Sequence, residues 1–251
     1  MTKFDIITIF PEAITPYAEA SILGRAQKKK LIKITAHQLR DFSKDKHSKV
    51  DDTPYGGGAG MVMTVQPIAD AVRKICRTGT INRAQKTRII LTSASGKKFT
   101  QADAKRLSKY GRLVFICGRY EGIDARVEKE IADESFSIGD YVLTGGELPA
   151  LVMTDAIARQ VKGVLGSAES LAEESHDTEG LLEYPQYTKP EIYFPPFQGG
   201  IKGGSEIRRT KERIKGGGRK RKGWAVPKIL LSGNHAEIKK WREEQSKKRS
   251  K

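Results

Sequence analysis

Short apolar runs recur through the first two thirds of the chain, separated by segments of helical spacing. Residues 4–10 form one such run, stopped by Pro11, and residues 31–39 form another. R-I-I-L-T at 88–92 and R-L-V-F-I-C at 112–117 follow, and a further strand falls within 134–143. Between them, residues 67–76 place Ile68, Val72 and Ile75 on one helical face. Residues 100–110 read as a helix with Thr100 as its N-cap, and residues 148–165 as a long apolar helix. Strands that are apolar on both sides must be covered on both sides. The pattern therefore predicts an α/β fold with a mostly parallel sheet and helices on both faces.

Three of the strand ends carry glycine: S-A-S-G at 93–96, G-R-Y-E-G at 118–122 and T-G-G-E at 144–147. In a parallel sheet the ligand crevice lies beyond the carboxyl ends of the strands. Glycine there lets backbone approach a ligand or supplies a positive φ. Three such turns at one end of a sheet point to a small-molecule site. None matches G-x-G-x-x-G or G-x-x-x-x-G-K-[ST], so neither a dinucleotide fingerprint nor a P-loop is present.

Charge narrows the partner. The 46 Lys and Arg against 30 Asp and Glu give a net charge of +16, which favours a polyanion, nucleic acid first. No stretch approaches the apolar length of a membrane span, and no signal peptide precedes the first strand, so a cytoplasmic protein with no membrane partner is expected. Cys76 and Cys117 lie far apart in apolar contexts and read as reduced core residues. The four histidines show no metal-ligand spacing, so no metal is assigned. From about Gly166 the character changes. L-A-E-E-S-H-D-T-E-G at 171–180 sets Glu173, Glu174, Asp177 and Glu179 around His176 and reads, by composition, as a solvated acidic linker. Residues 195–223 are rich in Gly, Lys and Arg with few apolar anchors, which suits a flexible phosphate-binding arm. A strand-like V-P-K-I-L-L at 226–231 and a helix from Ala236 close the chain.

The turns and their neighbours resemble the bacterial tRNA (guanine-N1)-methyltransferase family, of the knotted SPOUT class. The matching strings are D-D-T-P-Y-G-G-G-A-G-M (51–61), C-G-R-Y-E-G-I-D (117–124), S-I-G-D-Y-V-L-T-G-G-E-L-P-A (137–150), E-G-L-L-E-Y-P-Q-Y-T-K-P (179–190) and L-L-S-G-N-H-A-E-I-K-K-W-R (230–242). The resemblance implies a deep trefoil knot in a domain spanning residues 1–165, a linker at 166–188 and a reduced basic region at 189–251. It implies S-adenosylmethionine as cofactor, held in the knot. Its loops map onto Leu91, Thr92, Ser93 and Gly96; Gly118, Tyr120 and Glu121; and Ser137, Ile138, Gly139, Asp140, Tyr141, Val142, Leu143, Gly145, Gly146 and Pro149. It also implies a homodimer whose active sites are completed by the partner chain, with the helix from Leu148 as the interface or as plain core.

The reaction implied is methylation of N1 of the tRNA guanine just 3′ of the anticodon. N1 of neutral guanine carries a proton, so a base must remove it while a cation steadies the charge developing on O6. The family's arginine maps onto Arg159. Its aspartate falls on Glu174, within Glu173-Glu174-Ser175-His176, and Asp177 is the alternative base. Glutamate has nearly the same reference pKa but one more methylene. The family continues past W-R with a helical tRNA-gripping domain, whereas this sequence stops at Lys251 and carries the basic insertion instead; the arm is expected to supply the phosphate contacts. The resemblance allows a magnesium ion, although no ligand cluster argues for one. Two other readings stay open: a SPOUT methyltransferase acting on another RNA site, and a non-catalytic knotted RNA-binding protein.

Overall fold

The computed structural model describes residues 1–77, 86–165, 182–193 and 223–250. Glu174, Asp177 and, apart from Gly223, the basic arm at 195–223 lie outside them. The chain divides into two compact units, Met1–Glu173 and Glu174–Lys251.

In the first unit the elements run β1 (Thr2–Thr8), α1 (Thr15–Glu19), α2 (Ser21–Lys28), β2 (Ile32–Gln38), β3 (Asp51–Asp52), β4 (Val62–Met63) and α3 (Val65–Arg77). There follow β5 (Thr87–Lys98), α4 (Gln101–Leu107), β6 (Arg112–Cys117), α5 (Ala125–Glu130), β7 (Glu134–Ser137) and α6 (Glu147–Arg159). Five strands form one sheet in the order β2-β1-β6-β5-β7, with every pairing parallel. The period-two alternation explains the two cores. Phe4 and Ile6 of β1, with Leu113 and Phe115 of β6, point to a face covered by α1, α2, α4 and α6. Ile7, with Val114 and Ile116, points to the opposite face, under α3 and α5. Helical spacing does the same for α3, which buries Ile68, Ala71, Val72 and Ile75. Thr100 caps α4 as expected, its side chain accepting from the Asp103 N–H.

Three expectations need correction. S-A-S-G is not a loop: β5 continues through it to Lys98, with a register shift against β7 between Thr92 and Lys97. The apolar helix stops at Arg159, not at 165, because Val161 to Gly163 form a turn and Gly163 adopts φ +86°. V-P-K-I-L-L is not a strand. Pro227 has φ −54° and no N–H to give to a ladder, and a 3-10 turn follows at Lys228–Leu231.

In the second unit, β8 (Ile192–Tyr193) pairs antiparallel with β9 (Trp224–Ala225), so the two ends of the basic arm leave from one place. The helix α7 (His235–Arg249) starts where Asn234 accepts from the Glu237 N–H. Its far end is tied to the extended segment that precedes β8. The Leu182 N–H donates to Ser250 Oγ at 2.8 Å and Arg249 donates to the Glu183 carbonyl at 3.1 Å. None of this unit's described residues is buried.

Candidate active site

A cavity of about 430 Å³ opens beyond the carboxyl ends of β5, β6 and β7. That volume lies in the range of small-molecule sites. Each wall is one of the glycine-bearing segments. Leu91, Thr92 and Ser93 come from β5; Gly118, Tyr120 and Glu121 from the turn after β6; Ser137, Ile138, Gly139, Tyr141, Val142, Leu143, Gly145, Gly146 and Pro149 from the segment joining β7 to α6. Of the predicted cofactor residues only Gly96 and Asp140 are not among the lining. A Cβ on Gly96 would meet the Phe136 N at 2.7 Å, so this glycine serves the passage of β7 over β5. Asp140 stands exposed and pairs with Lys98 at 3.2 Å. Arg159 sits half-buried at the far end of α6. At ~1.5 Å rise per residue, that is on the order of 15 Å from Pro149.

The segment after β7 returns from the sheet edge toward its middle. The Gly146 N–H donates to the Gly118 carbonyl at 2.9 Å. A Cβ on Gly146 would fall 2.0 Å from Thr92 Oγ1 and 2.8 Å from the Cys117 Cα, so no side chain is sterically allowed at this crossing. The turn after β6 is itself strained. Tyr120 has φ +59°, a conformation that costs a non-glycine residue on the order of 1–3 kcal/mol and persists only where the surroundings enforce it. The enforcement comes from the β3–β4 ribbon. Glu121 N donates to the Met61 carbonyl and Met63 N to the Gly122 carbonyl, both at 3.0 Å.

Sequence reasoning passed over the pair that locks these walls together. Glu147, only 3% exposed, accepts from Thr8 Oγ1 at 2.6 Å and from Arg119 Nε at 3.0 Å. Arg119 also donates to the Thr144 carbonyl at 3.2 Å, and its guanidinium lies 4.6 Å from the Phe10 ring centre. The ends of β1, β6 and the segment before α6 are thereby held by one buried charge pair. The only signal for it was the R of G-R-Y-E-G and the E of T-G-G-E inside the quoted strings.

The chemistry of the lining follows. With Arg119 neutralised by Glu147, the remaining charged lining residues are Glu121 and Glu128, and neither has an ion-pair partner among the described residues. Ser93 and Ser95 hydroxyls hydrogen-bond each other at 2.9 Å, and Thr92 donates to the Ile116 carbonyl at 3.1 Å. Burial, with the Glu147 charge beside it, pushes the Cys117 thiol far above the usual thiol range. A thiol so held is not a nucleophile. Among the described residues no histidine lines the cavity. The described lining thus offers backbone groups and two carboxylates to a small molecule. Beside it, Arg126 forks onto Asp124, the N-cap of α5, and holds its carboxyl down to about 2.

Comparison with known proteins agrees with this geometry. The family model for tRNA (guanine-1)-methyltransferase TrmD matches residues 2–195. A tRNA (guanine-N(1)-)-methyltransferase of Ruminiclostridium cellulolyticum is 48% identical over 244 residues, covering 97% of this chain and 91% of the relative. Those of Heliobacterium modesticaldum and Dictyoglomus turgidum are 44% and 46% identical over 248 and 250 residues, covering 81% and 87% of the relatives. The match spans the strands, the glycine-bearing walls and the linker alike, and the chain belongs to the tRNA (guanine-1)-methyltransferase family.

Proposed function

We propose that the protein transfers a methyl group from S-adenosylmethionine to N1 of the tRNA guanine 3′-adjacent to the anticodon, in the cytoplasm and as a homodimer. The observation that carries the reading is the cavity. Three backbone-rich walls converge at the carboxyl ends of parallel strands in a chain of this family. Two unpaired carboxylates at the rim suit the positive sulfonium and ammonium of the cofactor. Gly118 and Gly145, which line the cavity, suit an adenine read through backbone N–H and C=O groups. The Gly146–Gly118 hydrogen bond, which brings the chain after β7 back against the end of β6, supports the trefoil-knot assignment.

When bound, S-adenosylmethionine supplies an electrophilic methyl group on a sulfonium. The chain's own residues do the rest. The N1–H bond must break as the N1–CH₃ bond forms, and we assign the proton to the Glu174 carboxylate, with Asp177 as the alternative. Arg159 steadies the charge that develops on O6. Its distance from its own chain's cavity supports a role at the cavity of a second protomer, which is why a dimer is part of the proposal. Leu148 and Val152, 60% and 49% exposed on the outer side of α6, and Val142, 85% exposed, supply the apolar surface for it. The basic C-terminal region contributes tRNA phosphate contacts.

The test compares two tRNA transcripts, one with G and one with A after the anticodon, in the presence of methyl-labelled S-adenosylmethionine. Label enters the G transcript only, and Glu174→Gln lowers the single-turnover rate by about 10²-fold or more. Cofactor binding without transfer would instead mark a knotted RNA-binding protein.

A further inference from the structure

A second cavity, of about 500 Å³, lies wholly within the C-terminal unit, between the extended segment before β8 and one face of α7. No described residue of this unit is buried, so the cavity is not a gap in a packed core. Tyr184, Tyr187 and Trp241 contribute aromatic rings to its lining. Tyr187 and Trp241 have ring centres 6.3 Å apart and planes inclined by 55°, which leaves ring faces unstacked. Tyr184 already carries a cation, the Arg242 guanidinium, 4.7 Å from its ring centre. Lys189 and Lys239 also line the cavity; among the described residues neither has an acidic partner and Glu191 is the lone acid in the lining. The lining thus combines open π faces with a surplus of positive charge. A protein side chain would satisfy only one of these features, and a lipid surface would need a flat face rather than a cleft. A nucleotide satisfies both, with its base against the rings and its phosphate on the ammonium groups.

We infer that this cavity holds one unpaired nucleotide of the RNA substrate, its base against Tyr187 and Trp241 and its phosphate between Lys189 and Lys239. The inference rests on the RNA-methyltransferase reading for the identity of the polymer, but its site is separate from the cofactor cavity. Stacking of one base is worth ~1–3 kcal/mol, roughly a 5- to 150-fold change in affinity. The experiment measures tRNA binding and methyl transfer on the full chain. Tyr187→Leu keeps the apolar volume but removes the π face, and it raises both the Kd and the KM for tRNA about tenfold while kcat changes far less. Tyr187→Phe restores the wild-type KM. Lys239→Gln lowers the slope of log affinity against log salt by about one. A uridine tetranucleotide quenches tryptophan fluorescence of the wild type and not of Trp241→Leu. Tyr187→Leu with a Kd and KM within twofold of wild type, or quenching that survives Trp241→Leu, overturns the inference. If the wild type binds tRNA without methylating it, the functional reading fails while the Kd comparison still decides this one.

Discussion

An added methyl group at Gly146 would stand 2.0 Å from Thr92 Oγ1 and 2.8 Å from backbone at Cys117, with no flexible tip to move aside. At Gly118 the nearest neighbours would be Ile123 side-chain atoms at 3.5 Å, an ordinary contact. The two positions therefore separate fold from binding. Gly146→Ala is expected to destabilise the protein by about 1–3 kcal/mol and to abolish S-adenosylmethionine binding. Gly118→Ala is expected to melt near wild type yet bind the cofactor about tenfold more weakly. Calorimetric titration with thermal melts checks both, and equal melting temperatures for the two variants would contradict the crossing described above. At this scale much was legible, because a glycine at a strand end has few physical reasons to be there. Gly96 shows the ambiguity: chain-on-chain passage requires the same residue as ligand approach. The Arg119–Glu147 pair was not legible, since its members are 28 positions apart and meet only once the chain has turned back.

Glu134 shows how β7 is held to its neighbours. Burial pushes its carboxyl up, but hydrogen bonds from Arg106 and then Arg88 outweigh that and hold it below the usual carboxylate range. The Arg106 contacts are 2.6 and 2.9 Å and the Arg88 contact is 2.7 Å, so α4, β5 and β7 share one carboxylate. With its folded pKa lowered, the folded state binds fewer protons than the unfolded chain. Its contribution is then present above the unfolded pKa of about 4.3 and is lost as pH falls through the lower folded value. Glu134→Gln is expected to melt below wild type at pH 7, with the gap closing as pH falls toward about 3. Melting curves across that window test it; a gap that stays constant would assign the loss to packing. Element types were readable from period, because a parallel strand is apolar on both sides and α3 is apolar on one. Element ends were less so. Pro227 and Gly163 decide them through backbone geometry, which an apolar run conceals.

The molecule combines one unit with two full cores and one unit whose described residues include no buried side chain. Composition alone distinguished the two ends of the chain only by their charge. The proposed dimer belongs to this scale. Val152→Asp puts a charge on the exposed side of α6, away from Ile157 and Met153 in the core. The variant is expected to sediment as a monomer and to lose transfer about 10²-fold, while S-adenosylmethionine affinity is retained. A variant that stays dimeric and active would remove α6 from the interface. The central claim is that this cavity directs a methyl group to one atom of one nucleotide. Nucleoside mass spectrometry of a tRNA methylated by the purified protein, with the modified position mapped along the chain, tests it most directly. N1-methylguanosine is expected at the position 3′-adjacent to the anticodon; a methyl group on another atom, or at another position, would contradict the assignment.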